Sequence, residues 1–375
     1  MRYWTKSSLT FGRGQFTGDN PILRLCCLFV LIFSSLIVSG CSSAPQDPAN
    51  PHTTTPLKVG ISPYQDIAMI VNVKNLGLEK KYGTDIELIT LPWEDILPAV
   101  ASKGETVDVG FGSLAEYLQK VENLNKNSDD PVLFVYPNYV FKGCGFVCFN
   151  PAVPEITPAN VNDPATLRKF LSFKLGAQKN SQNDMLLILL AHKAGVPYSQ
   201  LHITDITIND GLLAAEQGSL DAAAAGLTQR TEALKRHGRV VLTMETLGAA
   251  DVDGFVCKES ILKRRRQDIQ SLVHMWLDCS KYVTSDIEHH TGAEFAYLSK
   301  NAATKYTIAE FKRALTQEYF PTTLEEVQEN ILAPNSKYSV ARERKQVGDY
   351  LVDIGAVKAP PQMPKMTLFE PTAQP

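Results

Sequence analysis

Three serines stand where a strand-like run gives way to a helix-like one: Ser62, Ser113 and Ser181. A serine in that position accepts a backbone N–H of the first helical turn. The other free N–H groups, with the helix dipole, attract an anionic or carbonyl group. Ser62-Pro63-Tyr64-Gln65 reads as a capping box with proline at the first helical position, and Ser113 with Glu116 reads as a second. Each serine is thus a plain cap or a ligand contact. Asn180, Gln182 and Asn183 crowd Ser181 with amide donors and acceptors, as a recognition surface or an ordinary solvated loop. Tyr64 and Trp93 are either an aromatic wall or core. The candidate ligand-binding set is Ser62, Tyr64, Gln65, Trp93, Gly112, Ser113, Asn180, Ser181, Gln182, Gly226 and Thr228. No catalytic set is read. Glu288-His289-His290 fits a solvated helical face better than a metal site, and no Gly-x-Ser-x-Gly or phosphate-loop motif is present. No cofactor is expected.

The elements that must hold these residues alternate. Leu57–Ile61, Asp85–Ile89 and Val107–Phe111 read as strands, with helices opening at Ser62, near Glu94 and at Ser113. The grammar repeats. Lys174–Ala177, Ile203–Ile208 and Asp221–Ala225 read as strands, with helices after Ser181 and over Leu212–Gln217. Leu97 to Val109 parallels Leu213 to Ala222, each passing from helix through glycine to an apolar residue, an aspartate and a strand. Asp108 and Asp221 there read as structural. Two βαβ lobes of similar design follow. Beyond residue 260 the pattern is helical, with Ile269, Leu272, Val273 and Trp276 on one face.

The 375 residues are 44% hydrophobic and 21% charged, an ordinary globular composition. The charges are unevenly placed. Arg2, Lys6, Arg13 and Arg24 face only Asp19, so the first forty residues carry +3 and the remainder −6. No basic excess points to nucleic acid, and Arg264-Arg265-Arg266 is too short a run for one. Leu25–Val38 is uncharged, short for a bilayer span and suited to a signal peptide. Val38-Ser39-Gly40-Cys41 closely resembles the bacterial lipobox, which implies cleavage before Cys41 and its acylation. Ser42 after it would favour outer-membrane sorting in a Gram-negative cell, by the same resemblance. Four prolines between residues 42 and 56 make that stretch a tether.

Val59 through Asn75-Leu76-Gly77-Leu78-Glu79-Lys80-Lys81-Tyr82-Gly83 and Asp85-Ile86-Glu87-Leu88 resembles the opening of the nitrate/sulfonate/taurine substrate-binding proteins of ABC importers, a superfamily that includes thiamine-pyrimidine-precursor binders. Val107–Ser113 resembles its first site strand, Lys174–Ser181 with Ala194-Gly195-Val196 its second-lobe opening, and Leu213–Asp221 its Gly-x-(apolar)-Asp element. Ala224-Ala225-Gly226-Leu227-Thr228-Gln229 departs from the family's aromatic-acid-proline cluster, leaving a small, polar floor.

The resemblance implies an α/β fold, the two-lobed type II periplasmic binding fold with a helical C-terminal segment. Its divisions would be a lipoprotein signal peptide over 1–40, a tether over 41–56, lobe one over 57–148, lobe two over 149–254, a lobe-one return over 255–355 and a disordered tail over 356–375. It implies a monomer, lipid-anchored on the extracytoplasmic face, that takes a small ligand to a permease and its ATPase. The runners-up are a pyrimidine-precursor binder, a sensor without transport, and a pyridoxal-phosphate enzyme of this fold, which would have no use for Cys41. Gly-Phe-Val-Cys occurs twice, at Gly145–Cys148 and Gly254–Cys257, near the two implied hinges. That suits paired crossover strands and makes Cys148–Cys257 the first choice for a disulfide, with buried free thiols the alternative.

Overall fold

The computed structural model describes residues 55–302 and 305–363 with Met366, Leu368 and Phe369. The expected signal peptide, Cys41 and the expected tether up to residue 54 lie outside the described residues. No helix among the described residues is long and apolar enough to cross a membrane.

Two five-stranded sheets carry the fold. The first holds β1 (Leu57–Ile61), β2 (Ile86–Thr90), β3 (Val109–Ser113), β4 (Val132–Phe141) and β10 (Asp251–Lys258), in the order β2-β1-β3-β10-β4. The second holds β5 (Gly145–Cys148), β6 (Leu175–Ala177), β7 (Ile203–Asp205), β8 (Ala222–Ala225) and β9 (Arg239–Thr243), in the order β7-β6-β8-β5-β9. In each, three strands run parallel and a fourth enters antiparallel: β10 beside β3, and β5 beside β8.

Helices α1 (Leu78–Tyr82), α2 (Trp93–Ala101) and α3 (Leu114–Asn125) belong to the first lobe. The second carries α4 (Pro164–Leu171), α5 (Gln182–Ala194), α6 (Ile208–Glu216) and α7 (Leu227–Lys235). The return segment is helical as read: α8 (Glu259–Arg264), α9 (Arg266–Ser285), α10 (Gly292–Asn301), α11 (Ile308–Leu315), α12 (Leu324–Val327) and α13 (Val340–Asp353). Each lobe has its own apolar core, and Met185 and Ile188 of α5 join the first lobe's.

The aspartates read as structural do the same task twice. Asp108 Oδ2 accepts from Lys58 N at 3.0 Å and Asp221 Oδ2 from Lys174 N at 2.9 Å. Each ties the start of one parallel strand to its neighbour.

The chain changes sheets between Phe141 and Gly145 and again between Thr243 and Asp251. The expected boundaries after residues 148 and 254 are therefore corrected: β5 belongs wholly to lobe two and β10 wholly to lobe one. This also overturns the Cys148–Cys257 disulfide, since both cysteines are free and buried. The Gly-Phe-Val-Cys copies occupy the same fourth position in different sheets. They are alike because their surroundings are alike: a Cβ on Gly145 would stand 2.4 Å from the Leu242 carbonyl, and one on Gly254 2.3 Å from that of Tyr136. Equivalence in two lobes keeps them apart.

Three further expectations change. No helix opens at Ser62, where Oγ instead donates to the Leu91 carbonyl at 2.8 Å. A 3₁₀ segment, Ala68–Val73, follows without a side-chain cap. The expectation of a disordered tail is corrected at its described residues: Leu368 is buried, its carbonyl accepts from Arg266 at 2.8 Å and Gln270 at 2.7 Å, and Phe369 packs edge-on to Tyr136. The tether's last residues are held too, because Arg265 donates to the carbonyls of Thr55 and Pro56.

The 3₁₀ segment is pinned from α10, where Glu294 Oε1 accepts from Asn72 Nδ2 at 2.5 Å while Oε2 is buried without a partner. Burial pushes this carboxyl up to about 7. The folded chain then keeps a proton that the unfolded chain releases above about 4.5, so Glu294's contribution to stability falls as pH rises from 4.5 to 7. Urea titrations at several pH values are expected to show that slope in the difference between wild type and Glu294→Gln. A pH-independent difference would contradict it.

Candidate functional site

Between the lobes lies a cavity of about 80 Å³. Lobe one supplies Tyr64, Gln65, Asp66 and Ile67 from the loop after β1, Trp93 and Glu94 from the start of α2, Glu116 from α3, Tyr139 and Phe141 from β4, and Asp253 from β10. Lobe two supplies three helix starts: Ser181, Gln182 and Asn183 at α5, Thr207 to Asn209 at α6, and Gly226 to Gln229 at α7. Gln178 and the crossing residue Cys144 complete the lining. The site thus lies beyond the carboxyl ends of the parallel strands, where loops and helix N-termini converge.

Seven of the eleven expected residues line this cavity: Tyr64, Gln65, Trp93, Ser181, Gln182, Gly226 and Thr228. Four do not. Ser62 is spent on the Leu91 carbonyl. Gly112 lies within β3, where its Cβ position faces Val256. Ser113 is fully buried, capping Glu116 N and donating to Asp251 Oδ2 at 2.5 Å. Asn180 is exposed at φ 56°, its N–H turned to Asp184 Oδ2. Asparagine tolerates that left-handed backbone.

Ser181 caps α5 and also lines the cavity. Its Oγ accepts from Asp184 N at 3.3 Å and donates to the Gln178 carbonyl at 2.6 Å. Contacts across the cleft join the lobes directly. Gln182 Nε2 donates to Asp253 Oδ1 at 3.0 Å, and Gln119 Nε2 donates to the Ser181 carbonyl at 3.1 Å. Gln65 Oε1 lies 3.1 Å from Tyr306 OH and 3.4 Å from Thr228 Oγ1, and these two hydroxyls are in contact with each other; with one proton each, they fill two of the three contacts at a time.

The unanticipated part of the site is acidic. Tyr139 OH lies 2.8 Å from Asp66 Oδ2 and 2.7 Å from Asp253 Oδ2. One phenolic proton serves one carboxylate at a time, so the second contact needs a proton on that carboxyl. Burial raises both acids, and Asp251 beside it drives Asp253 well above the usual range. Glu116 is raised by burial too, against the pull of Lys120 and the Trp93 Nε1–H at 2.8 Å. The Cys144 thiol, buried near Asp251 and Asp253, is pushed far up and stays protonated. Asp253 had one sequence signal: Asp251 and Asp253 fall two apart, on one face of a strand that is apolar from there to Cys257. Tyr139, inside an apolar ten-residue strand, had none.

The fold and its interlobe site define a two-lobed periplasmic binding protein architecture, as the sequence reading implied. No family model matches the chain, and no curated protein matches it. Among solved structures it is similar to the periplasmic aliphatic sulphonate-binding protein SsuA from Escherichia coli (18% identity over 82% of this chain and 96% of that one, TM-score 0.58). It is also similar to the Candida albicans CA3427 gene product, described as having the generic periplasmic binding protein fold (14%, 83% and 98%, 0.58). A third is the periplasmic nitrate-binding protein NrtA from Synechocystis PCC 6803 (14%, 71% and 71%, 0.55). At these identities the likeness is one of fold.

Proposed function

We propose that this chain is the solute-binding component of an ABC importer of the nitrate/sulfonate/taurine type. It captures a small ligand between its lobes and delivers it to a permease, without catalysing a reaction. The observation that carries the reading is the interlobe cavity, bounded by three helix starts from one lobe and a polar loop from the other. Two chain crossings join the lobes, an arrangement that suits hinge closure around a ligand. The fold shared with SsuA and NrtA supports the same reading. We also propose that acylated Cys41 anchors the chain as a monomer on the extracytoplasmic face, on the strength of the lipobox.

The test is a thermal-shift panel on the full-length chain with nitrate, alkanesulfonates, taurine and pyrimidine precursors. The full chain is preferable to residues 57–355, because Thr55, Pro56 and Leu368 make ordered contacts with α8 and α9 or the turn between them. A ligand at a hundred times its dissociation constant adds about 2.7 kcal/mol. A clear shift with one member is expected. A well-folded chain that responds to none would sink the assignment to this substrate class.

A further inference from the structure

Charge is divided unequally across the cleft. The lobe-one wall carries Asp66, Glu94, Glu116 and Asp253, whereas every lobe-two residue in the lining is uncharged. Among the described residues no lysine, arginine or histidine lines the cavity. Glu116 has Lys120 beside it, but Asp66 and Asp253 share only Tyr139 and neutral amide donors. A separate observation comes from the opposite wall. Asn183 lines the cavity at 7% exposure, and its Oδ1 is buried with no hydrogen-bond partner. An acceptor placed there calls for a donor.

We infer that the cleft recognises its ligand through a protonated amine or amidine, seated against Asp66, Tyr139 and Asp253 and reached from lobe two by Asn183 Oδ1. This rests on the solute-binding reading and narrows it. An ammonium carries three N–H donors and no acceptor, which suits a wall of acids and an unpartnered acceptor lining the same cavity. Its charge offsets the cost of the buried negative charge that the pair shares. The Trp93 and Tyr64 rings on the same wall add attraction for an organic cation. A nitrate or plain sulfonate in that position would instead set a second negative charge beside the one the pair shares. Among the described residues no three His, Cys, Asp or Glu side chains gather as metal ligands, so the match is to an N–H-bearing head. The helix starts of lobe two remain for the ligand's other end, which an acceptor or acid group fits.

Isothermal titration of the full-length chain with charge-sorted probes decides this. Ethylammonium and acetamidinium carry only the cation, ethanesulfonate and nitrate only the anion, and taurine carries both. The cations and taurine are expected to bind at least tenfold more tightly than the anions. Asn183→Ala and Asp253→Asn, each checked for an unchanged circular dichroism spectrum, should weaken amine binding tenfold or more. Ethanesulfonate or nitrate binding while the cations do not would overturn the inference and leave the solute-binding reading standing. Amine affinity unchanged in a folded Asn183→Ala chain would also overturn it. No heat with any probe would remove both readings together.

Discussion

Alanine at Trp276 is expected to lower the unfolding free energy by about 3–5 kcal/mol. The shift should be read from the urea midpoint at unchanged slope. Trp276 is fully buried in the middle of α9, edge-on to Phe111 at 5.1 Å and tilted against Tyr139 at 5.7 Å. Its Nε1–H donates to the Asn138 carbonyl at 3.1 Å. Truncation would leave a cavity beneath the first sheet and a buried carbonyl without its donor. Phe at 276 keeps most of the ring and loses only the N–H, so its cost should be clearly smaller. The effect should also reach the cleft, because Trp276 backs the ring whose hydroxyl bridges Asp66 and Asp253. A loss below about 1 kcal/mol would mean that the helical return does not support the site strand as described.

Arg265→Met is expected to cost about 3–5 kcal/mol, the range for removing one partner of a buried ion pair. Arg265 is buried, with Nε at 2.8 Å from Asp268 Oδ2 and Nη1 at 3.2 Å from Asp108 Oδ2. Its other donors reach the carbonyls of Thr55 and Pro56. Methionine approximates the stem but strips two buried carboxylates of their counter-charge, and salt would screen that loss little. Lysine is a poor substitute, since a point charge lacks the guanidinium's planar set of five donors. Adding Asp268→Asn to Arg265→Met should recover part of the loss, and the double-mutant cycle measures how much. The variant should also be cut more readily by protease near residues 55–56, which Arg265 holds in place. Equal stability of wild type and variant would refute the assignment.

Much of this architecture is written locally. Period-two alternation at Leu57–Ile61 and Asp85–Ile89, with the repeated Gly-x-(apolar)-Asp element, is enough to draw two lobes on one plan, because strand period and turn residues act over a few positions. The parallel bonds of Asp108 to Lys58 and Asp221 to Lys174 are the physical content of that repeat. The caps were legible in part: Ser113 and Ser181 do cap helices, while Ser62, with the same local pattern, is drawn to the Leu91 carbonyl at the end of a strand.

What the tertiary structure alone decided is which polar groups meet. Asp66 and Asp253 reach Tyr139 from 73 and 114 residues away, and they converge only because β10 lies between β3 and β4. The twin Gly-Phe-Val-Cys runs show the same limit: their likeness is plain in the sequence, but that it marks equivalent places in two sheets, not a contact, depends on where the chain crosses. The amino-acid order by itself showed the repeated strand-and-helix plan and singled out Tyr64, Gln65, Trp93 and Gln182, which line the cavity. The acidic wall came from sheet order, because a carboxylate's neighbours are set by strands that pair far apart in the chain, and no local period encodes that pairing.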